Sequence, residues 1–142
     1  MSDILENIHS LFIHFPIALL STGLFFDIMS HFFNKEDLEI SGLYCMIIGT
    51  FTCITSNLTG FYSFINMYGD PVSIIQWKYL NHVLMGWGLT IYFILLILIR
   101  FRMDVDFYYS KYKKRIYFVL HILGVTVLFY SAHLGAKAAE RI

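Results

Sequence analysis

A chain of 142 residues that is 58% hydrophobic and only 14% charged, with a mean hydropathy of +0.65, is too apolar for an ordinary soluble domain. Lys and Arg balance Asp and Glu at a formal net charge of zero, which leaves no electrostatic reason to expect a nucleic-acid partner. A helix needs roughly 20 mostly apolar residues to cross a bilayer, and four such stretches fit here and use nearly the whole chain.

The expected fold is therefore all-α: an integral membrane four-helix up-down bundle, forming a single domain over residues 1–142 with no soluble module. Helices are expected over about 4–33, 38–66, 71–102 and 108–138. The first residues carry Asp3 and Glu6 where a cleavable leader would be basic, so no leader is expected. In the first helix Pro16 removes a backbone hydrogen bond and should bend the chain near His14. Asn34 is expected to cap the second helix, with Asp37 near its positive end.

The second helix has no histidine. It carries Gly42, Cys45, Gly49, Cys53, Ser56 and Gly60 at helical spacing. Small residues in a membrane helix let a neighbour approach closely, which is the preferred reading; the alternatives are a flat groove for a planar ligand and a homodimer contact. Asp70 and Pro71 read as the cap and first position of the third helix, and Trp77 and Tyr79 suit an interfacial belt. Met103 to Lys111 link to the last helix. Lys78, Lys137 and Arg141 lie on the side that holds both termini, against Lys35, Arg100, Arg102, Lys111, Lys113, Lys114 and Arg115 on the other. The positive-inside rule puts the second side in the cytoplasm and both termini outside, in the periplasm of a bacterial inner membrane.

Histidine is the residue type that points to chemistry. An ionisable ring in hydrocarbon is costly without a partner, so its presence hints at function. His14, His82 and His133 come from three different helices at what should be one depth, a few residues inside the terminal side. His121 lies twelve residues before His133, about 18 Å along the helix, with His31 and Asp27 at comparable depth. His9 falls at or outside the interface. Imidazole nitrogens from facing helices can fill both axial positions of a haem iron, and Gly86, Gly88, Gly124 and Gly135 can make room for a porphyrin. One or two haem b groups are thus expected, with His14, His82, His121 and His133 as iron ligands: two of the outer three, and His121 with His31 as its only obvious histidine partner. Met46 and Met85 are weaker candidates, since methionine in a bundle is usually gap-filling core. There is no Cys-x-x-Cys-His for covalent haem, and Cys45 and Cys53 are too far apart along one helix to bridge.

Plainer readings stand beside these. A membrane histidine can simply hydrogen-bond a neighbouring helix. For His121 the plain reading is pairing with Asp27, a buried carboxylate that itself needs a partner. His31 can be solvated near an interface. Three histidines can also hold zinc or copper, with loop Asp70 in reach. The sequon at Asn57 lies inside the second helix and carries no meaning there.

The stretch His14-Phe15-Pro16-Ile17-Ala18-Leu19-Leu20 followed by Asp27 resembles the domain of unknown function 2231 family of small bacterial membrane proteins. The layout continues with Gly60 late in the second helix, His82 in the third, and His133-Leu134-Gly135 similar to the family's last motif. There Leu134 is inserted, and Ser131-Ala132 replace a glycine pair. The resemblance implies an integral four-helix protein and suggests haem or redox association without naming an activity. The leading expectation is a di-haem, cytochrome b-like electron-transfer protein, a possible membrane oxidoreductase whose donor and acceptor the sequence leaves open, with Asp27 orienting His121. The alternatives are a haem or divalent-metal binding or transport protein and a structural membrane subunit without cofactor. No hydrolase or phosphate-binding motif is present.

Overall fold

The computed structural model describes residues 11–68, 77–102 and 110–138. They form four helices: α1 (His14–Phe33), α2 (Glu36–Tyr68), α3 (Trp77–Arg102) and α4 (Lys111–Ala138). Each contains a stretch long and apolar enough to cross a membrane, and no strand occurs among the described residues. The expectations for His9, for the Asp70–Pro71 cap and for the link after Met103 lie outside the described residues.

The first helix is interrupted early and the α1–α2 corner differs from expectation, each for a local reason; the expected helix start near residue 4 lies outside the described residues. The helical run is interrupted at Ile13 and α1 begins at His14. Pro16 is thus a first-turn residue, where its missing N–H would have no intrahelical acceptor anyway, instead of an interior breaker. Asn34 does not cap α2. It closes α1 from the left-handed region, at φ 51° and ψ 43°, a conformation that asparagine tolerates better than most residues. α2 then opens on Glu36, Asp37 and Glu39, whose carboxylates complement the positive end of the helix dipole.

The helices pack as a ring, each against its two neighbours: α1 with α2, α2 with α3, α3 with α4, and α4 with α1. The α1–α2 seam is the closest. A Cβ built on Gly42 would stand 3.0 Å from the Gly23 carbonyl oxygen, and one on Gly49 would stand 2.9 Å from Leu20 Cγ. These glycines of α2 serve helix packing, by letting two backbones approach where any side chain would hold them apart.

Polarity is reversed relative to a soluble bundle. The core holds Leu20, Met46, Phe93, Leu96 and Tyr117, but also Asp27, Glu39, Thr50, Thr90, Arg100, His121 and Ser131. The outward faces carry Phe25, Ile48, Phe51, Ile91, Leu123 and Phe129. Hydrocarbon outside removes the usual penalty for exposing these, so polar residues collect in the interior, where they find partners.

Candidate functional site

Each helix sends one face inward, and near the end of the bundle rich in basic residues each face carries a charge. On α1 the buried positions are Pro16, Leu20, Gly23, Asp27 and Ser30, a 3–4 spacing that places Asp27 on the inner stripe. Glu39 opens the corresponding stripe of α2, Arg100 ends that of α3, and Lys114 and His121 lie along α4. Because neighbouring helices run in opposite directions, the last turns of α1 and α3 meet the first turns of α2 and α4.

Asp27 and His121 are both fully buried, and His121 Nδ1 lies 2.8 Å from Asp27 Oδ2. Arg100 Nη1 donates to the other carboxylate oxygen at 3.5 Å. With the carboxylate accepting from both neighbours, the ring donates from Nδ1. Nε2 then carries the lone pair of the neutral ring. It is buried and has no hydrogen-bond partner among the described residues.

The pair is tied to the bundle's end. Arg100 Nη2 donates to the Glu39 carbonyl oxygen at 3.2 Å and stands 3.9 Å from Glu39 Oε1. That oxygen is 2.9 Å from Lys114 Nζ. Among the described residues, two acids and two bases thus meet here. The Arg100 guanidinium also lies 5.0 Å from the Tyr117 ring centroid, in cation–π contact. Tyr117 donates its hydroxyl to Met46 Sδ at 3.4 Å. Phe93 and Tyr117 meet the His121 ring at centroid separations of 6.1 and 5.9 Å. The seat of the carboxylate is a glycine: a Cβ on Gly42 would fall 2.6 Å from Asp27 Oδ1.

The four histidines expected as iron ligands are not brought together. His14 and His133 are exposed. His82 is half-buried and donates from Nδ1 to the Ser131 carbonyl oxygen at 3.1 Å. His121 is committed to Asp27, the plain reading of that residue. His31 is exposed, with its ring edge on Phe118 at 5.7 Å. The glycines expected to make room for a porphyrin are mostly covered by side chains: Gly86 by the Asn57 amide, Gly124 by Tyr92 and Phe93, and Gly135 by the His82 ring, while Gly88 faces open space. Among the described residues no group of three His, Cys, Asp or Glu is placed to hold a metal ion.

Sequence reasoning found Asp27 and His121 but not Arg100, Lys114 or Glu39; the positive-inside argument treats the two basic residues as interfacial. The available signal was that a buried carboxylate calls for a cation at its own depth.

No curated protein and no solved structure matches the chain. The sequence pattern of one family, described as "Predicted membrane protein (DUF2231)", matches residues 5–142. With four membrane-length helices and a match over almost all of its length, the chain belongs to the DUF2231 family of predicted membrane proteins.

Proposed function

We propose that this protein handles protons within the membrane, with the Asp27–His121 pair as the proton-binding site and the Arg100–Glu39–Lys114 charges as its connection to the basic end. The observation that carries this reading is the buried imidazole with one nitrogen fixed by a carboxylate and the other unpartnered. Intramembrane carboxylates and imidazoles recur in proton relays because they exchange protons without leaving their seats. A proton arriving at Nε2 makes an imidazolium whose charge the adjacent Asp27 stabilises. Leaving from the same nitrogen restores the neutral ring, with Nδ1–H still on Asp27. By lysine and arginine distribution the basic end faces the cytoplasm, in a bacterial inner membrane with both termini on the far side.

The test is proton uptake by purified protein in detergent after a small pH jump, followed with an indicator dye and with nitrogen NMR of the imidazoles. About one proton per chain is expected at His121, lost in His121→Gln and in Asp27→Asn. Equal uptake by wild type and both variants would remove the reading.

Haem b electron transfer is the second reading, supported by one observation: an imidazole anchored through Nδ1 on a carboxylate with Nε2 unpartnered is arranged as axial iron ligands are. A Soret band in protein purified from haem-replete cells, lost in His121→Ala, is what that reading requires. Protein without visible absorbance removes it and leaves the proton reading standing.

A further inference from the structure

His82 lies on the same face of α3 as Arg100. Eighteen residues separate them, which is five helical turns, or about 27 Å. Arg100 and Phe93 are buried on that face, and Gly86 lies between Phe93 and His82. The face is polar at intervals. Asn57 of α2 lays its amide over Gly86 and donates from Nδ2 to Thr90 Oγ1 at 2.9 Å. Thr90 in turn donates to the Gly86 carbonyl oxygen at 3.0 Å. Phe93, less than one turn further on, meets the His121 ring.

His82 repeats at the far end the arrangement of His121. A backbone carbonyl only accepts, so Nδ1 carries the proton toward Ser131. The ring lies over Gly135, where a Cβ would stand 2.7 Å from Cε1 and 3.0 Å from Nε2. Both imidazoles are thus held in one tautomer by a fixed acceptor at Nδ1. No charged side chain is paired with His82 among the described residues; its described partners are Ser131 and Gly135 of α4.

We propose that His82 is a second proton station, and that the Asn57–Thr90 pair joins it to His121 as a proton path crossing the whole bilayer. The proposal rests on the proton-handling reading of Asp27 and His121 and extends it from a site open to one end to a route open to both. His82 takes a proton from water on Nε2 and gives it back from the same nitrogen, so Nδ1–H never leaves Ser131. Water is the carrier between stations. The interval from His82 to Thr90 is about 12 Å along the helix, bridged midway by the Asn57 amide, whose oxygen and nitrogen orient waters without being protonated.

The experiment uses full-length protein in liposomes with a pH dye inside and a potassium gradient with valinomycin to drive protons inward. Wild type is expected to acidify the lumen faster than protein-free vesicles. Thr90→Val, isosteric without the hydroxyl, and Asn57→Leu should each slow this about tenfold or more, as should His82→Leu. Thr90→Ser should recover most of the rate. Proton uptake at His121 in detergent should be unchanged in Thr90→Val. Should Thr90→Val and Asn57→Leu both conduct like wild type, or wild type conduct like empty vesicles, the path is overturned even if uptake at His121 is confirmed. Intact conduction in Asp27→Asn with uptake lost would likewise overturn the path, whereas equal uptake by wild type, Asp27→Asn and His121→Gln would overturn the underlying site instead. If Asn57→Leu does not fold, Thr90→Val alone decides.

Discussion

Asp27 is held by what its neighbours lack as much as by what they offer. Its carboxylate occupies the space a side chain at Gly42 would take, and that space lets α1 and α2 close while His121 reaches across from α4. Gly42→Ala therefore pushes on a carboxylate oxygen and on the Gly23 carbonyl together, and neither is a flexible side-chain tip. We expect a loss of about 1–3 kcal/mol, as for other overpacked sites, read from the detergent unfolding midpoint. The His121 Nδ1–H resonance should move as well, which a loss of packing alone would not cause. A variant with wild-type stability and an unmoved resonance would show that Gly42 does not seat the carboxylate. At this scale the sequence was half legible. An aspartate in hydrocarbon announces itself, and His121 lies at its depth. Arg100 and Glu39 sit within a turn of helix ends, where charges are normally solvated, so nothing local distinguishes them from ordinary interfacial residues.

The number of helices was readable because length and hydropathy alone define a membrane span. Which side of each helix faces in was harder to read, because hydrocarbon outside and core inside are both apolar, so hydrophobic periodicity fades. Depth without angle is what placed His14, His82 and His133 together. At about 100° per residue, His14 lies about 140° from the stripe that carries Asp27, and His133 lies a similar angle from the stripe that carries His121. His82 falls within about 20° of the stripe that carries Phe93 and Arg100, and of the three only it is half-buried. The α1–α2 corner shows the same limit in the backbone. Asparagine suits both a helix start and a left-handed helix end, and only the turn itself decides. Since Asn34 holds φ 51°, Asn34→Gly should keep or slightly raise the thermal midpoint. Asn34→Val should cost about 1–2 kcal/mol from the left-handed strain of a β-branched residue. Equal midpoints for the two variants would show that this corner does not depend on the left-handed cap.

At the scale of the whole bundle, the buried charges form one connected cluster. Among the described residues, Asp27 and Glu39 join Arg100 and Lys114 across four helices. A buried ion pair is weak evidence for stability, but breaking one partner leaves the other uncompensated, at about 3–5 kcal/mol. Asp27→Asn and Arg100→Gln should each destabilise, and the Asp27→Asn/Arg100→Gln double variant should be less destabilised than the sum of the two, with a coupling of about 0.5–3 kcal/mol. Glu39 and Lys114 keep their 2.9 Å pairing in it, and one charge of each sign has been removed. The double variant nevertheless has no carboxylate beside Nδ1 to stabilise an imidazolium, and proton uptake at His121 should stay lost when the fold is recovered. Charges kept only for architecture would behave otherwise: the double variant would recover stability and uptake together, and the interior would then be a structural device with no proton chemistry to protect.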